Sequence, residues 1–243
     1  YIPENSQNIS LWLRRRNLRW SETKEIMTHS VLIDLAKYGS WDDYFGSLDK
    51  RFRVDTRRQE YNFRNAGRVS FEIFTDKEGI DSVIPDFFRF HRAVWADKGF
   101  GSQFDDKKNR SRYLSLAEDL SGVKTVELSC LKVNDEVAAL HFGFVYRGKY
   151  YYYTPVFNPK FKRFSPGRIL LANLIRDSFR RGIKEFDLLM GLERYKFAWS
   201  ENKTGLYGVG FYKKTMLSRF IRFYIEKKRH FQRSRLYRGL FKR

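Results

Sequence analysis

Residues 164–199 read FSPGRILLANLIRDSFRRGIKEFDLLMGLERYKFAW. Ser165 is a residue type that caps helices, and Pro166 suits a first helical position. Leu170, Leu171, Leu174, Ile175 and Phe179 then recur with helical spacing, and Gly182 supplies a stop. "KEFDLLMG" follows as a short apolar strand with a carboxylate, Asp187, inside it. "LERYKFAW" is an abrupt polar turn. The chain thus runs from a helix into a buried strand and breaks at a cluster of charged and phenolic groups.

Working upstream, "TVELSCLKV", "VAALHFGFVY" and "KYYYYTPVFN" read as three strands joined by the turns "NDE" and "RG". "PKFKRFSPG" reads as a basic loop. A further strand is expected near "LYGVGFYKK". The order of three strands, helix, strand and strand implies a mixed α/β domain. Before it, "VLIDL" reads as a short strand, residues 41–66 as one helix stopped by Gly67, and "VSFEIF" as an alternating strand. Residues 76–98 look helical with Pro85 as a flaw or a break, and "SRYLSLAEDL" as a further helix. The stripe Ile84, Phe87, Phe88, His91 and Trp95 is read as core packing. The expected organisation is an N-terminal α/β portion over 1–120, a core over 121–212 and a basic amphipathic helix over 213–243.

The 243 residues are 42 % hydrophobic and include 15 Tyr and 23 Phe, enough to bury a substantial core. No apolar run is long enough for a transmembrane helix, and no secretory signal is visible. A single cysteine, Cys130, excludes an internal disulfide framework, and its apolar setting reads as core. The four histidines lack metal-ligand spacing, so no metal is implied. The net charge is +20, and residues 211–243 hold twelve Lys and Arg against the lone Glu226. Such a charge favours anionic partners: nucleic acid, anionic lipid or a phosphate-bearing cofactor. The tail also interleaves Phe220, Ile221, Phe223, Tyr224 and Phe231 with arginines, a pattern suited to an anionic membrane surface or to RNA phosphates.

The runs "EVAALHFGFVYRGKYYYYTPVFNP", "SPGRILLANLI" and "RGIKEFDLLMGLERYKFAW" resemble the C-terminal half of GNAT-superfamily acyltransferases. They are most similar to the CelD-like acetyltransferase branch, which is related to the FemAB aminoacyl-transfer proteins. "WDDYFGSLDKRFR" before "VSFEIF" resembles that branch as well. The resemblance implies a GNAT-like, mostly antiparallel sheet flanked by helices, with a related N-terminal α/β portion. It implies a cytoplasmic N-acyltransferase, with a peripheral place at the inner membrane face open to it. Its donor would be acyl-CoA, carrying an acetyl or longer chain. Its acceptor would be an amine on a sugar, amino acid or envelope precursor. The alternatives are tRNA-dependent aminoacyl transfer of the FemAB kind and a non-catalytic adaptor on membrane or RNA.

"KRFSPGR" stands where the superfamily carries its phosphate loop. Arg163, Ser165, Gly167 and Arg168 are therefore the expected pyrophosphate contacts, because a helix start offers free N–H groups and a positive dipole end. His141 is a candidate general base or else a core histidine. Asp187 is a candidate proton acceptor or else the cap of the following turn. Tyr195 can protonate a departing thiolate, and Lys196 can neutralise an oxyanion or else pair with Glu193. Tyr151, Tyr153 and Glu193 are expected along the acceptor groove.

Overall fold

The computed structural model describes residues 2–3, 20–225 and 227. Two compact units result: Ser30–Lys203, and Tyr1–His29 together with Thr204–Arg243.

The larger unit is built on one sheet. Its strands are the end of β2 (Trp20–Asp34), β3 (Val69–Phe74), β4 (Val126–Val133), β5 (Glu136–Tyr146), β6 (Lys149–Phe157) and β7 (Glu185–Met190). They run in the order β2-β7-β6-β5-β4-β3. Tight turns at Asn134–Asp135 and Arg147–Gly148, all at positive φ, join β4 to β5 and β5 to β6 as antiparallel hairpins. Every pairing within the unit is antiparallel except β6 with β7, which a helix connects. The sheet is thus mixed and mostly antiparallel, as a GNAT-like fold requires.

Helices cover both faces. On one side α1 (Trp41–Ser47), α2 (Lys50–Asn65) and α5 (Pro166–Arg180) bury Tyr44, Phe45, Phe63, Leu170, Leu174 and Ile175 against Leu131, Tyr150 and Phe186. On the other, α3 (Lys77–Asp97) and α4 (Lys107–Ser121) bury Ile84, Phe87, Tyr113 and Ala117 against Leu128, Cys130 and Phe142. Helices on both faces leave β4 buried along nearly its whole length, its polar Glu127 and Ser129 included.

Several expectations differ from what is found. Residues 41–66 form two helices, because Leu48 leaves the helical region. Asp49 then opens a new helix by accepting a 2.9 Å bond from the Phe52 N–H. Of the two readings of Pro85, a flaw or a break, the first holds: α3 runs unbroken past it. Six β3–β4 pairings tie the expected N-terminal portion to the expected core within one sheet. Ser165 stands at the N-cap of α5 with Pro166 in its first turn, but it takes a left-handed conformation and its side chain makes no cap bond.

In the smaller unit, β1 (Ile2–Pro3) pairs antiparallel with β8 (Lys203–Lys213), Ile2 opposite Tyr207. A helix then occupies 216–225, with Thr215 accepting a 3.2 Å bond from the Ser218 N–H at its start. Most of the basic run "LRRRNLRW" at 13–20, and the tail from 228 including Phe231, lie outside the described residues.

Candidate active site

β6 and β7 pair over only three positions, Lys149 with Glu185, Tyr150 with Phe186 and Tyr151 with Asp187. Beyond that point the strands part. Tyr152–Phe157 and Leu188–Met190 become walls of a cleft of about 730 Å³.

Asp187 is where they part. Its carboxylate accepts a hydrogen bond from the Ser30 hydroxyl on β2 and a 2.8 Å bond from the Leu189 N–H. It also pairs with Lys149 at 2.8 Å. Burial alone lowers the Lys149 pKa, but the bond and charge of Asp187 outweigh it, and the net shift is upward. The bond to Leu189 folds the strand end over: Leu189 sits at φ +59° and Gly191 at φ +124°. Glycine suits position 191 because φ +124° is a conformation that residues with a Cβ rarely adopt. Asp187 is thus fully partnered and does not line the cleft. A carboxylate in an apolar strand is accounted for by the turn it locks.

The next residues fold back as α6 (Arg194–Phe197). Lys196 is buried, and its ammonium reaches the carbonyls of Leu189 (3.2 Å) and Met190 (2.8 Å) and the Glu193 carboxylate (2.9 Å). An ammonium has three N–H donors, and all three are engaged. That leaves none for an oxyanion, so Lys196 holds the turn that carries its neighbours. Tyr195 is half-exposed at the cleft wall. Desolvation chiefly, and the Glu193 charge second, raise its pKa, so the phenol stays protonated.

The start of α5 forms another wall through Ser165, Gly167 and Arg168. Pro166 has no N–H, and the N–H groups of Arg168 and Ile169 turn back to the Ser165 carbonyl at 2.9 and 3.3 Å. A Cβ on Gly167 would meet nothing within 4 Å, so the space beside this positive helix end is open. Arg168 also pairs with Asp55, whose carboxyl it holds below the ordinary range, and lies 5.3 Å over the Phe52 ring. Arg163 lies 4.6 Å over Phe164 and does not line the cleft.

Of the expected acceptor contacts, Tyr153 and Glu193 line the cleft. Tyr151 lies outside it, beneath the Lys149 ammonium at 5.4 Å. His141 also lies elsewhere. It is fully buried, flat against Tyr152 with ring centroids 4.2 Å apart, and its Nδ1 meets the Tyr150 hydroxyl at 3.2 Å. Burial pushes its pKa down to about 3, so the ring is neutral and walled off. Gly143 makes room for it, since a Cβ there would stand 2.3 Å from the His141 ring.

Sequence reasoning placed His91 and Trp95 in the core, and Lys98 escaped notice. All three project from α3 into the cleft. Their i, i+4, i+7 spacing was the available signal. His91 stacks on Trp95 at 5.6 Å and its Nδ1 meets the Ser102 hydroxyl at 2.7 Å. Burial, with a smaller push from Lys98, lowers its pKa to about 4. Cys130 lies in the core beneath α3 and α4, with its thiol pushed up to about 12 by burial, and is no nucleophile.

Residues 50–197 match the family described as "Acetyltransferase (GNAT) domain". No curated protein sequence matches. The crystal structure of FemX superposes with TM-score 0.62 at 12 % identity, over 87 % of this chain and 70 % of FemX. The structure of L-PGS from Bacillus licheniformis gives TM-score 0.53 at 12 % identity, over 92 % and 70 %. The C-terminal domain of a putative lysylphosphatidylglycerol synthetase from Agrobacterium fabrum gives 0.52 at 12 %, over 79 % and 61 %. The chain therefore spans less than two thirds of that last structure. At these identities the likeness is one of fold. The family match covers more than half of the sequence, and the chain belongs to the GNAT acetyltransferase-domain family, whose members are acyl-group transferases.

Proposed function

We propose that the cleft moves an acyl group from a coenzyme A thioester to an amine. One observation carries this reading: the parting of β6 from β7 puts the open helix start at Gly167 and the protonated phenol of Tyr195 in the walls of the same cleft. The donor's pyrophosphate sits at the helix start beside Arg168. The amine nitrogen attacks the thioester carbonyl, the carbon–sulfur bond breaks, and Tyr195 gives its proton to the departing thiolate. Solvent returns a proton to Tyr195. The amine sheds its own proton toward His91. That ring is neutral above about pH 4, so it accepts a hydrogen bond and relays the proton to water. Acyl-CoA is a cytoplasmic metabolite, so the reaction belongs on that side of the membrane, with a sugar, amino acid or envelope precursor as acceptor.

The test is thiol release from acetyl- and longer acyl-CoA by the 243-residue chain, together with hydrogen exchange across 164–168. Protection of that segment by acyl-CoA is expected. Neither binding nor protection would overturn the reading. A second reading, aminoacyl transfer from tRNA, is favoured by the charge of +20. It predicts tRNA affinity that falls steeply with salt, and no thiol release from acyl-CoA.

A further inference from the structure

The helix over 216–225 carries large apolar side chains that, among the described residues, stay exposed. Met216, Leu217, Phe220, Ile221, Phe223 and Tyr224 are 46–70 % exposed. At 100° per residue these six fall within an arc of roughly 160°. Arg219 and Arg222 fall outside it, on the other side of the helix. Exposed apolar residues scattered singly are ordinary, but six on one face of one short helix form a contiguous patch. The charge around the patch is mostly of one sign: Lys213 and Lys214 precede the helix and Lys227 follows it, against the lone Glu226. Lys227 lies 5.6 Å over the Phe223 ring.

We propose that this helix lies flat on an anionic lipid surface, with the apolar arc sunk below the headgroups and the basic groups among the phosphates. Three arguments select that occupant. An aromatic and aliphatic face rimmed by Lys and Arg matches the boundary between acyl chains and anionic headgroups. A second copy of the chain would bring another +20 against the same surface, which opposes self-association. A nucleic acid would meet the cations but leave the apolar arc in water. The inference does not depend on the chemistry of the cleft.

The test uses the 243-residue chain and sedimentation with phosphatidylcholine vesicles, with and without phosphatidylglycerol. Phosphatidylglycerol is expected to raise the partition coefficient at least about tenfold. The double variant Leu217→Glu, Phe220→Glu is expected to lower it by about a hundredfold or more. Both side chains are exposed, so circular dichroism of the variant should match the parent. As a check needing no substitution, vesicles should slow hydrogen exchange over 216–225 in the parent. Equal binding by parent and double variant, or no protection of 216–225, overturns the inference. A dimer that the double variant abolishes, with no vesicle binding by the parent, also overturns it.

Discussion

Lys196 Nζ lies 2.8 Å from the Met190 carbonyl oxygen, six residues back along the chain, and this contact closes the loop that carries Glu193 and Tyr195. The ammonium is buried with all its donors engaged. Lys196→Met would leave two carbonyls without their donor and free the Glu193 side chain. A loss of about 2–3 kcal/mol in unfolding free energy is expected in urea titration. Transferase activity should fall with it, and a variant as stable as the parent would refute the positioning role.

Tyr195 should act on turnover rather than on binding. Tyr195→Phe keeps the ring and removes the proton that the leaving thiolate needs. Steady-state kinetics should show kcat lowered by about 100-fold with KM nearly unchanged. A change confined to KM would assign Tyr195 to substrate contact instead.

Gly167→Asp separates stability from donor binding. A carboxylate in the first turn of α5 favours the helix through its dipole, and the site has room for it. The same charge repels a pyrophosphate. Unfolding should be unchanged or slightly more difficult, while KM for acyl-CoA rises by about tenfold or more. Calorimetric titration with coenzyme A reads the same effect without turnover.

Stability should fall as the solution is made mildly acidic. His91 titrates at about 4 and His141 at about 3 in the folded chain, both below the ordinary 6.5. Between those values the unfolded chain holds protons that the folded chain refuses. Stability from these rings is therefore full above about pH 6.5, and is lost as pH falls through about 4 for His91 and about 3 for His141. For His91 alone the span corresponds to about 3 kcal/mol. Asp55 and Asp105 are held below their ordinary 3.8, so their contributions disappear only at lower pH. Denaturant midpoints measured from pH 7.5 to 4.5 should fall, and His91→Gln should flatten that slope.

Gly143→Ala probes the pocket around His141. The added methyl would meet the imidazole carbon at 2.3 Å, with the Tyr150 hydroxyl at 3.0 Å. A destabilisation of about 1–3 kcal/mol is expected from overpacking. Catalysis should survive in the folded fraction, because His141 lies outside the cleft. Loss of turnover in well-folded protein would return His141 to the chemistry.

The elements themselves were legible in the sequence because their signals are local. Alternation in "VSFEIF", the Arg147–Gly148 turn, the apolar stripe of α5 and the stop at Gly182 need no partner to be read. The break at Leu48–Asp49 was missed although Asp49 is a good cap, since a helical pattern continues on both sides of it. Pro85 left a flaw and a break both open, and α3 continues through it where Ile84, Phe87 and Phe88 pack into the core.

The site was only half legible. Gly167, Arg168 and Tyr195 stand next to the chain features that announce them, a helix start and a strand end. Whether a buried polar residue is chemical or structural depends on what faces it, and that is decided by contacts between distant segments. Asp187 meets Ser30 and Lys149, His141 is sealed under Tyr152, and His91 is turned into the cleft by the packing of α3. Local propensity and periodicity determined the order of strands and helices. Only the tertiary structure decided which ionisable groups keep their charge for a partner within the fold and which are left facing the cleft.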